Sequence, residues 1–237
     1  MNQASVGYHC PECVAGHGQT VHTAQSVMRG STQVTRALIG ANVAAFVAQI
    51  VTGERFTDWG VLFGPLVEDG EVWRILSSGF LHANLLHIGF NMYALWIFGP
   101  TLERGLGAFR FGLVYLAGLL GGSLAVLAFN FDQATLGASA AVLGLAGGIA
   151  GVLITRGVNI FRTALGSIFL INLALPLLVP RISFWGHLGG IAGGFVAGVI
   201  LTWLPERARQ SPSTAVGLTL GLIVGLLVAN VVAGQAL

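Results

Sequence analysis

The chain has 237 residues, of which 54% are hydrophobic and 8% charged, with a mean hydropathy of +0.81 and a formal net charge of +2. A soluble domain carries about 25% charged residues, so this chain cannot cover a water-facing surface and reads as an integral membrane protein. The small net charge leaves no electrostatic footprint for nucleic acid.

From Met1 to Arg36 the chain is polar, with no apolar core of a cleavable signal peptide. This tail holds "HCPEC". Cys10, Cys13, His17 and His22 would supply four ligands for zinc. Structural zinc modules usually show two well-separated ligand pairs, and here there is one pair with scattered histidines. The competing reading is a tail with reducible thiols. Zinc is therefore a candidate for the tail only.

Seven apolar stretches follow, at about 34–52, 84–100, 109–130, 137–155, 161–180, 185–204 and 214–235. Each is long enough for a span of roughly 17–25 residues, which predicts an all-α bundle. Gly99-Pro100, Pro180 and Pro205 are expected to end the second, fifth and sixth. The gap at 53–82 mixes Trp59, Phe63, Leu66, Val67, Trp73, Ile75 and Leu76 with acids, as segments at the membrane interface do. With the N-terminus inside, the cytosolic segments hold eight arginines and the outer segments three (Arg55, Arg74 and Arg181), which predicts N-in, C-out.

In that topology the second, fourth and sixth spans run from outside to inside. Their opening turns carry His82, His87, Asn91, Ser139 and His187, so three helices place polar side chains in one outer layer. Polar groups at such depth suggest function by default. His87 and Asn91 are four apart and share a helix face. Gly186, Gly190, Gly194 and Gly198 in the sixth span, and Ala140, Gly144 and Gly148 in the fourth, form small-residue faces that allow close helix contact. That contact would bring Ser139 to His187. The apolar spans contain no Asp or Glu, so the natural reading is a Ser-His dyad without a carboxylate. His187 would take the Ser139 proton during attack on a carbonyl. His87, Asn91 and the Ser139 N–H would donate to the oxyanion.

These residues resemble the rhomboid family of intramembrane serine proteases over about residues 34–204. "WR" at Trp73-Arg74, "HANLLHIGFN" from His82, "ERGLG" at Glu103 to Gly107, "GAS" at Gly137 to Ser139 and "GHLGGIAGG" with His187, Gly190 and Gly194 occur in the family's order. The resemblance implies a bundle of six core transmembrane helices, here with an added seventh, and a division into a cytosolic tail (1–33), a protease core (34–204) and a linker with the last span (205–237). It implies Ser139 as nucleophile, His187 as general base, and His87, Asn91 and the Ser139 amide as the oxyanion hole. His82 is expected to be structural, Trp73 and Arg74 to organise the first loop, and Glu103 and Arg104 to form a hydrogen-bond or ion-pair feature at the inner end of the second span. It further implies transmembrane protein substrates, a plasma-membrane location and no cofactor for catalysis. A catalytically inactive relative that binds membrane helices is the alternative. Oligomeric state is not readable.

Two positions depart from the family's usual pattern. Ala140 follows the serine where many members have Gly, and Leu143 stands where many carry an aromatic ring that packs on the catalytic histidine. The segment "VGYHCPECVAGHG" resembles the last part of a longer Cys/His-rich segment found in some bacterial members, notably actinobacterial ones. The expectation is an upstream start or a retained remnant.

Overall fold

The computed structural model describes residues 32–179 and 182–235, together with the backbone of 2–3 and 8–9, which pair as two short antiparallel strands, β1 (Asn2–Gln3) and β2 (Tyr8–His9). The zinc candidates Cys10, Cys13, His17 and His22 lie outside the described residues. Ten helices follow: α1 (Gln33–Thr52), α2 (Glu54–Gly60), α3 (Gly64–Glu68), α4 (Arg74–Ser77), α5 (Leu85–Leu106), α6 (Ala108–Phe129), α7 (Ser139–Thr155), α8 (Ala164–Leu178), α9 (Phe184–Glu206) and α10 (Pro212–Gln235). The seven long ones correspond to the seven apolar stretches, and α1, α6, α9 and α10 are by length and composition candidate membrane spans.

One element differs from expectation. Gly99-Pro100 does not end a helix, because α5 runs through it to Leu106. Proline's φ is compatible with a helix, its lost hydrogen bond is a single one, and membrane helices tolerate such breaks where neighbours pack closely. Gly99 lies against Thr35 of α1, where a Cβ would come within 2.6 Å of the threonine methyl. Pro205 lies in the last turn of α9, which ends one residue on at Glu206, as expected. The 53–82 segment folds into α2, α3, α4 and a 3₁₀ turn at Ser78–Phe80.

α6 and α7 are the centre. Thirteen of the 22 residues of α6 and ten of the 17 of α7 are buried, as expected for helices that are apolar on every side. Glycine sets how close their neighbours come. Cβ atoms added at Gly190, Gly194 and Gly198 of α9 would strike the carbonyl oxygens of Ala140, Gly144 and Gly148 of α7. A Cβ at Gly118 of α6 would sit 2.8 Å from the Gly144 Cα, and one at Gly121 2.6 Å from the Gly189 carbonyl oxygen. The backbones of α6, α7 and α9 therefore touch directly. The small-residue faces read from the sequence are the faces in contact.

Buried polar side chains close backbone groups that lipid cannot. Glu103, only 2% exposed, accepts from the Val34 N–H (2.9 Å), the Thr35 N–H (2.8 Å) and the Thr35 hydroxyl (2.6 Å). Its carboxylate thus caps the free N–H groups and favourable dipole end of α1. Arg104 is exposed and forms no ion pair with Glu103, so the feature expected there is a helix cap. On α10, Asn230 donates to the Leu120 carbonyl of α6 at 3.0 Å, and Gly234 packs on Val67 of α3. The end of α10 therefore lies on the same side as the first loop.

Two outcomes are expected. Gly194→Ala must push α9 off α7 and should cost about 1–3 kcal/mol, read by thermal unfolding in detergent, whereas Gly225→Ala, which meets nothing within 4 Å, should be silent. Glu103→Ala leaves buried donors on α1 unpaired and should cost roughly 2–4 kcal/mol in the same assay.

Candidate active site

The site is built where the first turns of α5, α7 and α9 meet the first loop. Asn84 caps α5 by accepting the His87 N–H at 2.9 Å, and Ser183 caps α9 by accepting the Gly186 N–H at 3.0 Å. Such short polar residues ahead of an apolar run are ordinary N-cap chemistry. They fix where each helix begins, and hence the depth at which His87 and His187 project.

Ser139 is the first residue of α7. The strand-like bridge between Leu62 and Thr135 (3.0 and 2.8 Å) and the Gly137 N–H donated to the Ser78 carbonyl (2.9 Å) hold the segment before it. The first loop thus holds the chain that delivers the serine. Arg74 organises that loop from inside. It is buried, its guanidinium donates to the Asp58 and Val61 carbonyls, and it pairs with Glu71. Trp73 is half-exposed, stacks on Trp59 with ring centroids 6.1 Å apart, and donates its indole N–H to the Trp59 carbonyl at 3.0 Å.

His187, on α9, is buried and points Nε2 at the Ser139 Oγ, 3.1 Å away. Its Nδ1 lies 2.9 Å from the Asn172 carbonyl of α8. A carbonyl only accepts, so Nδ1 carries the proton of the neutral ring and Nε2 presents a lone pair to the serine hydroxyl. The juxtaposition follows from the glycine contacts, since Gly190 lies one turn beyond His187 and touches the Ala140 carbonyl beside Ser139.

His87 reaches the same point from α5. A Cβ at Gly137 would lie 2.7 Å from its Cε1 and 2.9 Å from its Nε2, so the absence of a side chain there admits the imidazole. Gly137 also has φ +135°, which disfavours other residues. The Ala83 N–H faces His87 Nδ1 at 3.4 Å, which leaves the proton on Nε2, the edge nearest the serine segment. Asn91, one turn on and buried, has an Nδ2 with no hydrogen-bond partner in the protein. His82 is buried with its ring edge-on to His87 at 5.1 Å. Ser139, His187, His87 and Gly137 are therefore brought together. Trp73, Arg74, Glu103 and Arg104 lie away from them in supporting positions.

Sequence reasoning missed two groups. Gln49 of α1 clamps the His82 backbone, accepting its N–H at 2.9 Å and donating to its carbonyl at 3.2 Å and to Thr57 Oγ1 at 2.8 Å. A lone Gln late in an apolar stretch was the available signal. The Asn172 carbonyl had no signal of its own, because every residue has a carbonyl. Among the described residues no His, Cys, Asp and Glu side chains gather into a metal-binding group.

Comparison with known proteins identifies what the chain is similar to. The family model described as Rhomboid domain matches residues 69–204. Rhomboid protease GluP of Bacillus subtilis (strain 168) is 37% identical over 164 residues, covering 66% of this chain and 32% of GluP. RHOMBOID-like protein 6, mitochondrial, of Arabidopsis thaliana is 37% identical over 147 residues, covering 60% of this chain and 47% of that protein. Rhomboid-related protein 3 of Homo sapiens is 30% identical over 198 residues, covering 73% of this chain and 47% of its own length. The matched regions thus span about a third to a half of these relatives.

Gly137→Ala should force His87 away from the serine. Labelling of the protein by a serine-directed fluorophosphonate is expected to slow at least ~10-fold, on the scale of losing part of an oxyanion hole. Gly217→Ala, with nothing within 4 Å, should label at the wild-type rate.

Proposed function

The chain belongs to the rhomboid family, and from that premise we propose that it is an intramembrane serine endopeptidase with Ser139 as nucleophile and His187 as general base. The observation that carries the reading is the pair of contacts on one imidazole: Nδ1 on the Asn172 carbonyl and Nε2 on the Ser139 hydroxyl. That ring is already in the tautomer a general base needs.

The steps follow from the geometry. His187 Nε2 takes the Ser139 Oγ proton as the oxygen attacks the scissile carbonyl. Negative charge develops on the carbonyl oxygen. The Ser139 N–H, in the first turn of α7, has no intrahelical acceptor and lies at the positive end of the helix dipole. With the Asn91 amide and His87 Nε2–H it makes a set of donors for that oxygen. The imidazolium then protonates the leaving amine, the C–N bond breaks, and an acyl-serine remains. Water, deprotonated by the same His187, hydrolyses the ester and regenerates the serine. The steps call for no metal or cofactor.

Position in the membrane sets the substrate class. α7 is 17 residues, about 25 Å long, against a hydrocarbon core of about 30 Å. With Arg156 at its inner end, Ser139 stands below the outer surface, where peptide bonds of membrane-spanning segments pass. A helical peptide bond is enclosed in its own hydrogen-bond ladder, so the substrate must unwind at the cut. The eight-to-three arginine asymmetry supports a topology with the N-terminus cytosolic and the C-terminus outside, and the plasma membrane is the location proposed with it.

Purified protein in liposomes should cleave a transmembrane-helix substrate. Ser139→Ala and His187→Ala should each lose at least ~10³-fold and be no worse together, because the pair acts as a unit. Asn91→Ala should lose about 10²–10³-fold in kcat. Equal cleavage by wild type and Ser139→Ala would overturn the assignment.

A further inference from the structure

α8 contains a proline, Pro176, within its helical span. In an α-helix each N–H donates to the carbonyl four residues before it. Proline has no N–H, so the carbonyl of Asn172, four residues before Pro176, is denied its usual intrahelical donor. That is the carbonyl that accepts from His187 Nδ1 at 2.9 Å. The Asn172 side chain is turned to its own helix, donating from Nδ2 to the Ile168 carbonyl at 2.9 Å, and plays no part in the contact.

The contact matters because it fixes the Nδ1 edge of an imidazole whose Nε2 edge meets Ser139. Among the described residues no aromatic ring packs on His187, and Leu143, one turn into α7, offers no ring face. The buried residues of α8 are Leu165, Gly166 and Phe169, all nearer its start. The Asn172 carbonyl is the polar link between α8 and the imidazole. Had position 176 carried an ordinary amide, its N–H would compete for the same oxygen. His187 would then be free to rotate or to place its proton on Nε2, which would turn its lone pair away from Ser139.

We propose that Pro176 is a positioning residue of the dyad: by withholding one N–H it reserves the Asn172 carbonyl for His187 Nδ1 and so keeps Nε2 unprotonated toward Ser139. The inference rests on the Ser-His reading above and adds its third member, a main-chain carbonyl released by a proline in a neighbouring helix.

The test compares two variants of the full chain in liposomes. Pro176→Ala restores the N–H and, being a better helix former, does not threaten α8. A second variant carries lactic acid at position 176, the α-hydroxy analogue of alanine, which has the same methyl group but no N–H. Pro176→Ala is expected to slow fluorophosphonate labelling of Ser139, and kcat on a transmembrane-helix substrate, by roughly 10–100-fold, as loss of an orienting hydrogen bond does. KM should stay within about twofold. The lactate variant should return to near the wild-type rate. ¹⁵N spectra of histidine-labelled protein should show His187 as the Nδ1–H tautomer in wild type and in the lactate variant, and as a mixture in Pro176→Ala. A wild-type rate for Pro176→Ala, or equal slowing of both variants, would overturn the proposal, the latter because the ring would then act through packing. Wild-type protein that neither labels nor cleaves would instead overturn the dyad reading, and the ¹⁵N comparison would still decide the role of Pro176.

Discussion

The direct contact of α7 and α9 is the constraint on which the rest depends. Water does not drive apolar helices together within a bilayer, so association there relies on close packing and on hydrogen bonds. Gly190, Gly194 and Gly198 bring α9 onto the carbonyls of Ala140, Gly144 and Gly148, and Gly118 and Gly121 bring α6 onto the other side of both. Once those backbones touch, little freedom is left to slide one helix along the other. Ser139 at the start of α7 and His187 one turn into α9 then stand 3.1 Å apart. These two side chains are placed by what the glycines lack.

A second requirement shapes the periphery. Backbone polar groups at membrane depth must be satisfied within the protein. Glu103 closes the start of α1, Gln49 closes both backbone groups of His82, and Asn230 joins α10 to a carbonyl of α6. Arg74 does the same for the first loop, whose Ser78 carbonyl in turn holds Gly137. These residues do no chemistry, yet they connect the membrane surface to the serine. The Asn172 carbonyl belongs to the same class of group, with the difference that its partner is the His187 imidazole.

Much of this was legible from residue types alone. Seven apolar runs became seven long helices. The four-residue spacing of small residues named the faces that touch. The outer polar layer of His82, His87, Asn91, Ser139 and His187 named the region where α5, α7 and α9 converge. What could not be read falls into two kinds. Gly99-Pro100 reads as a helix end, but packing of Gly99 against Thr35 lets α5 continue to Leu106. Main-chain partners were invisible, because a carbonyl carries no residue identity. The Ser78 contact to Gly137 and the Asn172 contact to His187 emerge only in three dimensions. Of the hydrogen-bond or ion-pair feature expected at Glu103 and Arg104, the structure shows the hydrogen bonds, made by Glu103 to donors on another helix.

The most direct test of the central claim is to react the purified protein with a fluorophosphonate and map the modified residue by mass spectrometry. Attack at phosphorus needs an activated hydroxyl and no knowledge of the natural substrate. The account predicts a single adduct on Ser139 that is lost in His187→Ala. An adduct on another residue, an unmodified Ser139, or labelling that survives the loss of His187 would contradict it.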